Sequence, residues 1–127
     1  MKHYEVVAAI IEKDNKFFCC QRGPHGECGL KWEFPGGKIE EGETREEALV
    51  REIKEELKSK INVDSFVTTV DYTYNTFSIT MHAYKCSLIE GKLELSEHVN
   101  SKWLKKEDIY TVDWAEADQR IIKKIVE

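Results

Sequence analysis

Val6-Val7-Ala8-Ala9-Ile10-Ile11 is an unbroken apolar run of strand length, and it constrains the fold more than any other segment. A half-exposed strand alternates apolar and polar residues, so an unbroken run reads as a strand covered on both faces. Asp14-Asn15 follows as a turn signal, and Lys16 to Arg22 reads as the returning strand of a hairpin. Gly23 to Gly29 is a loop that opens Gly-Pro-His-Gly, and Trp32-Glu33-Phe34 is a short extended piece. Pro35-Gly36-Gly37 is expected to interrupt regular structure and to let the backbone approach a neighbour closely. Ile61 to Tyr74 and Phe77 to Ile89 are β-rich around an Asn75-Thr76 turn, and Val99 to Leu104 is a candidate further strand. Lys106-Glu107-Asp108-Ile109 reads as a short helix or turn, and Ala115 to Val126 as a closing helix with Ile121, Ile122 and Ile125 inward. The order strands, helix, strands, helix predicts an α/β fold, a mixed β-sheet with helices packed on it in a three-layer α/β/α sandwich.

At 127 residues the chain is expected to form one domain, residues 1–127. A chain of that size buries roughly two-thirds of its unfolded surface. Hydrophobic residues make up 41% and charged residues 34%, with two prolines and seven glycines, which excludes collagen-like, Pro/Gly-rich and disordered chains. No apolar run approaches the roughly 18 residues of a membrane span. No signal peptide is expected, because Glu5 stands where a secretory apolar segment would begin. Cys19, Cys20, Cys28 and Cys86 form no C-x-x-C pair and no zinc spacing, so reduced thiols in a cytoplasmic protein are expected. Cys19 and Cys20 are not expected both to face inward, since adjacent strand residues point to opposite sides.

The net charge is −5, from 19 basic and 24 acidic residues. Residues 40–56 hold eight acids and three bases, so this one segment carries the whole excess. Such a cluster repels the phosphates of a nucleic-acid polymer unless cations intervene, and it is suited to holding those cations. Thr44 is the candidate N-cap of a helix, with Glu47 completing a capping box. Glu46 and Glu47 suit the positive end of its dipole. Ala48, Leu49, Ile53 and Leu57 form a core stripe, and the other side carries Arg51, Glu52, Glu55 and Glu56. Residues three and four apart on a helix are neighbours, so Glu52 lies beside both Glu55 and Glu56. Each such like-charge pair costs on the order of a few tenths of a kcal/mol. Spacing alone leaves two readings open. One is a solvated acidic face; the other is a patch that binds a hard divalent cation, with a carbonyl of the nearby glycine-rich loop in reach.

Read from Gly37, the chain runs Gly37, five residues, Glu43, seven residues, Arg51-Glu52-Ile53-Lys54-Glu55-Glu56. This resembles the Nudix box, the signature of the Nudix hydrolases. Val6 to Ile11, Gln21-Arg22, Trp32 to Glu40 and Trp114-Ala115-Glu116-Ala117-Asp118 resemble the MutT-like branch of that family. The likeness covers nearly the whole chain and is strongest over residues 31–57. One position departs from the pattern: Lys58 stands where the family has a glycine. That glycine ends the helix in a left-handed conformation, which costs other residues about 1 kcal/mol or more.

The resemblance implies a Nudix fold and Mg²⁺-dependent hydrolysis, with Mn²⁺ as a substitute, of a nucleoside triphosphate to nucleoside monophosphate and pyrophosphate. It implies Glu52, Glu55 and Glu56 as metal ligands, joined by the Gly37 carbonyl and by Glu97. Either Glu52 or Glu55 would also activate water. Arg51 would hold Glu52 or Glu43 through a charge-assisted hydrogen bond, and Glu43 would brace loop to helix. Arg22 and Lys38 would meet phosphates. Phe34, Tyr72 and Phe77 would stack on the base, unless these aromatics are simply core. Asp118 would read the base edge. Taken as ionised it only accepts hydrogen bonds, which selects bases that present donors and makes 8-oxo-dGTP and CTP or dCTP the leading substrates. The three tryptophans read as core or rim residues, and His25, His82 and His98 as loop or surface residues without a role. Two alternatives stand beside this reading. One is another nucleoside diphosphate derivative, such as ADP-ribose or a dinucleoside polyphosphate; the other is a nucleotide-binding Nudix domain without catalysis. The expected partner is a small-molecule nucleotide, with no nucleic-acid polymer and no membrane, and the expected state is a monomer or homodimer.

Overall fold

The apolar run lies in β1 (Lys2–Lys13), and both of its faces are covered. Ala8 and Ile10 point into one core cluster, while Val7, Ala9 and Ile11 point into a second on the opposite side. The computed structural model describes residues 1–127. Asp14 and Asn15, at φ of 52° and 62°, turn the chain into β2 (Lys16–Gln21). Short strands β3 (Trp32–Glu33) and β4 (Gly36–Lys38) lead to α1 (Arg45–Leu57). Two long strands, β5 (Lys60–Thr73) and β6 (Phe77–Glu90), form the next hairpin. The chain closes with β7 (Asn100–Lys105), a 3₁₀ turn over Lys106–Thr111, and α2 (Glu116–Val126).

The strands form one sheet in the order β3-β2-β1-β6-β5, with β4 added to β1 and β7 to β2. β1 and β6 run parallel and the other named strand pairs antiparallel, so the sheet is mixed. α1 buries Ala48, Leu49, Ile53 and Leu57 on the Val7–Ala9–Ile11 side. α2 buries Ala117, Ile121 and Ile122 on the Ala8–Ile10 side. The result is the three-layer arrangement that the element order predicts.

Three local expectations are corrected. Gly36 and Gly37 do not break regular structure; they form β4, pairing with Ala8 and Val7 of β1. A Cβ on Gly36 would overlap the Val7 carbonyl, so the absence of a side chain is what admits this close pairing. Cys19 and Cys20 are both fully buried, because the sheet has a core on each side: Cys19 faces the α2 side and Cys20 the α1 side. His82 is buried, not a surface residue, with Nδ1 2.8 Å from the Thr69 hydroxyl and Nε2 3.0 Å from Glu5 Oε1. At the end of α1, Lys58 takes the left-handed conformation itself, at φ 50° and ψ 38°, and its N–H donates to Lys54 O at 3.1 Å.

Candidate active site

The capping box fixes where α1 begins. Thr44 Oγ1 accepts from Glu47 N, and Glu47 Oε1 accepts from Thr44 N at 2.9 Å. One turn later Arg51 rises into the acid cluster and ties it together. Its guanidinium grips Glu43 through Nε at 2.6 Å and Nη2 at 3.0 Å. Nη1 donates to Glu52 at 2.9 Å and to Glu55 at 3.1 Å, and Nη2 also donates to the Lys38 carbonyl at 3.0 Å. Mutual repulsion among these acids is therefore offset at its centre. Arg51 and the Glu40 N–H, 2.8 Å from Glu43 Oε1, hold the Glu43 carboxyl below the usual carboxylate range. Glu43 thus braces the loop against the helix, as the resemblance implies.

Gly37 sits against this cluster. A Cβ there would overlap the Glu52 carboxylate, so the strand and the acid occupy one space only because residue 37 is glycine. Glu52, Glu55, Glu56 and Glu97 line one cavity of about 570 Å³ together with Gly37 and Lys38. Burial raises the Glu52 carboxyl, with Arg51 acting against that rise. Burial pushes Glu56 further, to about 8, with the charges of Glu52, Glu33 and Glu97 adding to the effect. Glu56 Oε2 is buried with no protein partner. No three acids converge at metal-ligand spacing, and Arg51 holds Glu52 and Glu55 each by one oxygen. The set nonetheless fits a hard divalent cation. It offers only oxygen donors and includes one orphaned buried carboxylate oxygen, and Mg²⁺ commonly completes its shell with water and phosphate rather than an all-protein cage.

A second cavity, of about 560 Å³, shares Gly37, Lys38, Glu56 and Glu97 with the first and runs back over the α2 side of the sheet. Its far end is apolar, built from Tyr4, Tyr74, Phe77, Ile79 and Met81. Phe34 lines it too, though its ring is buried against Trp114 at a centroid distance of 4.9 Å. Arg22 reaches the cavity with Nη1 3.2 Å from Glu33, and Lys38 carries its ammonium 4.2 Å above the Tyr4 ring.

Asp118 also lines this cavity, but not as the freely ionised acceptor that sequence reasoning assumes. Its carboxyl is buried, with Oδ2 accepting from the Phe34 N–H at 2.9 Å, and burial drives its pKa well above the ordinary value. Burial favours the neutral carboxyl, and a neutral carboxyl both donates and accepts, as an amide does, so donor-only selection of the base does not follow from the residue type alone. Tyr72 does not line the cavity; its ring lies 4.6 Å from Tyr74 and under Arg120 at 5.1 Å. Tyr74 lines the cavity instead, buried and stacked on Phe77 at 4.8 Å, with its hydroxyl accepting from Ala117 N at 3.0 Å. Strand alternation puts residues 72 and 74 on one face, which is the signal that would have raised Tyr74 as a candidate. Glu33 and His98 were also missed. His98 lies in a loop, one of the two positions expected for it, but its side chain is only 6% exposed, and no spacing in the sequence announces that burial.

Residues 6–124 match the family model described as the NUDIX domain. The chain is 37% identical over 118 residues to the CTP pyrophosphohydrolase of Escherichia coli K12, covering 93% of this chain and 87% of that protein. It is 36% identical over 101 residues to the 8-oxo-dGTP diphosphatase of Proteus vulgaris, covering 79% and 88%. Among solved structures, the MutT Nudix hydrolase of methicillin-resistant Staphylococcus aureus superposes with a TM-score of 0.79 at 40% identity, over 98% of that chain and 99% of this one. The chain belongs to the Nudix family and is a hydrolase of the MutT type. No helix is long and apolar enough to cross a membrane.

Proposed function

We propose that this enzyme hydrolyses a nucleoside triphosphate to nucleoside monophosphate and pyrophosphate, acting on nucleotides of the 8-oxo-dGTP or CTP/dCTP type. The observation that carries the reading is the pair of linked cavities, apolar at one end and acid-lined at the other. A base suits the end holding Phe77, Tyr74 and Asp118, and a polyphosphate with its cations suits the end holding Glu52, Glu55, Glu56 and Glu97. The named activities of the two relatives support the substrate class.

Glu52, Glu55, Glu56, Glu97 and the Gly37 carbonyl are the residues that would hold Mg²⁺ or Mn²⁺. Such a cation, when bound, neutralises phosphate charge and polarises water. Arg51 orients Glu52 and Glu55 by donating to one oxygen of each, which leaves the other oxygen of each carboxylate for metal or water. Glu55, 60% exposed, has the freer side chain to take a proton from water, while Glu52 is packed against Gly37. Lys38 and Arg22 supply positive charge beside the acids, where phosphate oxygens would lie. Phe34 and Phe77 wall the base end, and Asp118 offers its remaining oxygen to the base edge. A small nucleotide is the partner that fits these cavities, and the acid cluster disfavours a nucleic-acid polymer.

Incubation with Mg²⁺ and CTP, dCTP, 8-oxo-dGTP, ADP-ribose and a dinucleoside polyphosphate tests the reading. Pyrophosphate release from one of the first three is the expected result. Orthophosphate alone, or turnover confined to the last two, would overturn it.

A further inference from the structure

Between the acidic and apolar ends lies a polar chain, His98–Glu33–Arg22, of which the proposed chemistry uses only Arg22. His98 Nε2 lies 2.9 Å from Glu33 Oε2, and Glu33 Oε1 accepts from Arg22 Nη1 at 3.2 Å. Glu33 and Arg22 are charged neighbours both of Glu56, at the acid end, and of Asp118, at the base end. The chain therefore occupies mid-span. The loop that carries His98 is pinned on both sides: Ser96 Oγ donates to Glu56 O at 2.6 Å and Val99 N donates to Gln21 O at 3.0 Å.

The His98 ring lines the cavity, its side chain is 6% exposed, and its Nδ1 is buried without a protein partner. In the neutral ring, the 2.9 Å contact with the Glu33 carboxylate is made by an Nε2–H donor. Nδ1 is then left with an unshared lone pair, an acceptor seeking a donor from a ligand. An acceptor that faces a cavity and has no protein partner is placed to take a donor from whatever fills that cavity. Of the three parts of a nucleotide, the phosphates have no donor at neutral pH and the base belongs to the Asp118 end. The sugar spans the middle and carries hydroxyls.

We propose that His98 Nδ1 accepts a hydrogen bond from a sugar hydroxyl of the bound nucleotide, making His98 a specificity-determining residue held in place by Glu33. The inference rests on the nucleotide reading above. It adds the sugar to the parts of the substrate that the cavity reads, and it explains why a buried histidine is locked to a carboxylate already engaged by Arg22.

The test measures binding without metal. Cytidine monophosphate and its 2′-deoxy and 2′,3′-dideoxy forms are titrated into wild type, His98→Gln and His98→Asn by calorimetry. The corresponding triphosphates are then compared by kcat/KM. Glutamine places an amide near Nε2 and keeps the link to Glu33, whereas asparagine places an acceptor near Nδ1 and loses that link. Loss of the contacted hydroxyl is expected to weaken wild-type binding about tenfold, and the deoxy and dideoxy arms tell which hydroxyl it is. His98→Gln is expected to reduce that difference to below about twofold, while His98→Asn retains part of it. Ring ¹⁵N shifts of wild-type His98 give a reading independent of any variant: Nδ1 moves on nucleotide binding and Nε2 stays protonated. Equal binding of all three nucleotides by wild type, full discrimination in His98→Gln, or an unmoved Nδ1 would overturn the assignment to His98 while turnover of the triphosphates still upheld the nucleotide reading. Failure to bind any of them and to cleave any triphosphate would remove both.

Discussion

Burial lifts Glu56 to about 8, and the consequence is a pH dependence of definite sign. The folded protein holds a proton on Glu56 that the unfolded chain releases near 4.5, so through this group the metal-free fold loses stability as pH rises across that window. Glu5 and Glu43 are held low by His82 and Arg51 and act on the acid side instead, where stability falls as pH drops. Glu56→Gln is therefore expected to flatten the decline in Tm between about pH 5 and pH 8 without altering the acid limb, as read by thermal melts in chelator. Divalent metal binding must also expel that proton, so apparent affinity rises with pH, at most about tenfold per unit below the folded value. Calorimetry in buffers of different ionisation enthalpy would register close to one proton released near neutral pH; none released would contradict the assignment of Glu56 as a ligand. At this scale the sequence was readable where the family resemblance assigns a contact, as it does for Arg51 between Glu43 and Glu52. It was unreadable where burial shifts a protonation equilibrium: the number 118 in a sequence says nothing of the Phe34 N–H or of the burial that raises the Asp118 pKa.

Among the elements, α1 carries both the clearest success and a measurable strain. Its capping box and core stripe were legible because both are local patterns of three and four residues. Its exit was legible only as a conflict. Lys58 adopts φ 50° where the family pattern has glycine, and the helix ends there without rearrangement. Lys58→Gly is expected to raise stability by about 1 kcal/mol, the cost of a left-handed side chain less the added freedom of the unfolded glycine. Chemical denaturation would measure this, and an unchanged or lower midpoint at equal m would refute the strain argument. β4 was illegible for the opposite reason. Gly36 and Gly37 have no strand propensity, and their pairing with Ala8 and Val7 is imposed by β1, a partner distant in sequence. Gly37→Ala is expected to fold yet lose most activity, because its Cβ displaces the Glu52 carboxylate. Wild-type turnover in that variant would remove Glu52 from the working site.

For the molecule as a whole, cover on both sides of the sheet decides the chemistry of its thiols. Cys19 and Cys86 are pushed up to about 12, and Cys20 moves in the same direction, because burial withholds the thiolate. They lie on both core sides, so no local opening exposes them all. A thiol reagent at pH 8 is expected to leave these three unmodified in the native protein and to label them together at the rate of global unfolding, as followed by mass spectrometry. Rapid labelling of Cys20 and Cys86 without Cys19 would show that the α1 layer lifts independently. The three-layer plan was legible from one apolar run and the order of elements. The neighbouring pair Cys19-Cys20 was misjudged because a rule for strands with one wet face was applied where neither face is wet.

The parallel pairing of β1 with β6 joins Lys2 to Phe77 and Ile11 to Cys86, partners 75 residues apart. Such contact order slows folding, since a long loop must close before the pairing returns any free energy. During synthesis, this adhesive stretch of β1 emerges well before β6 and waits, without that parallel partner, until β6 follows.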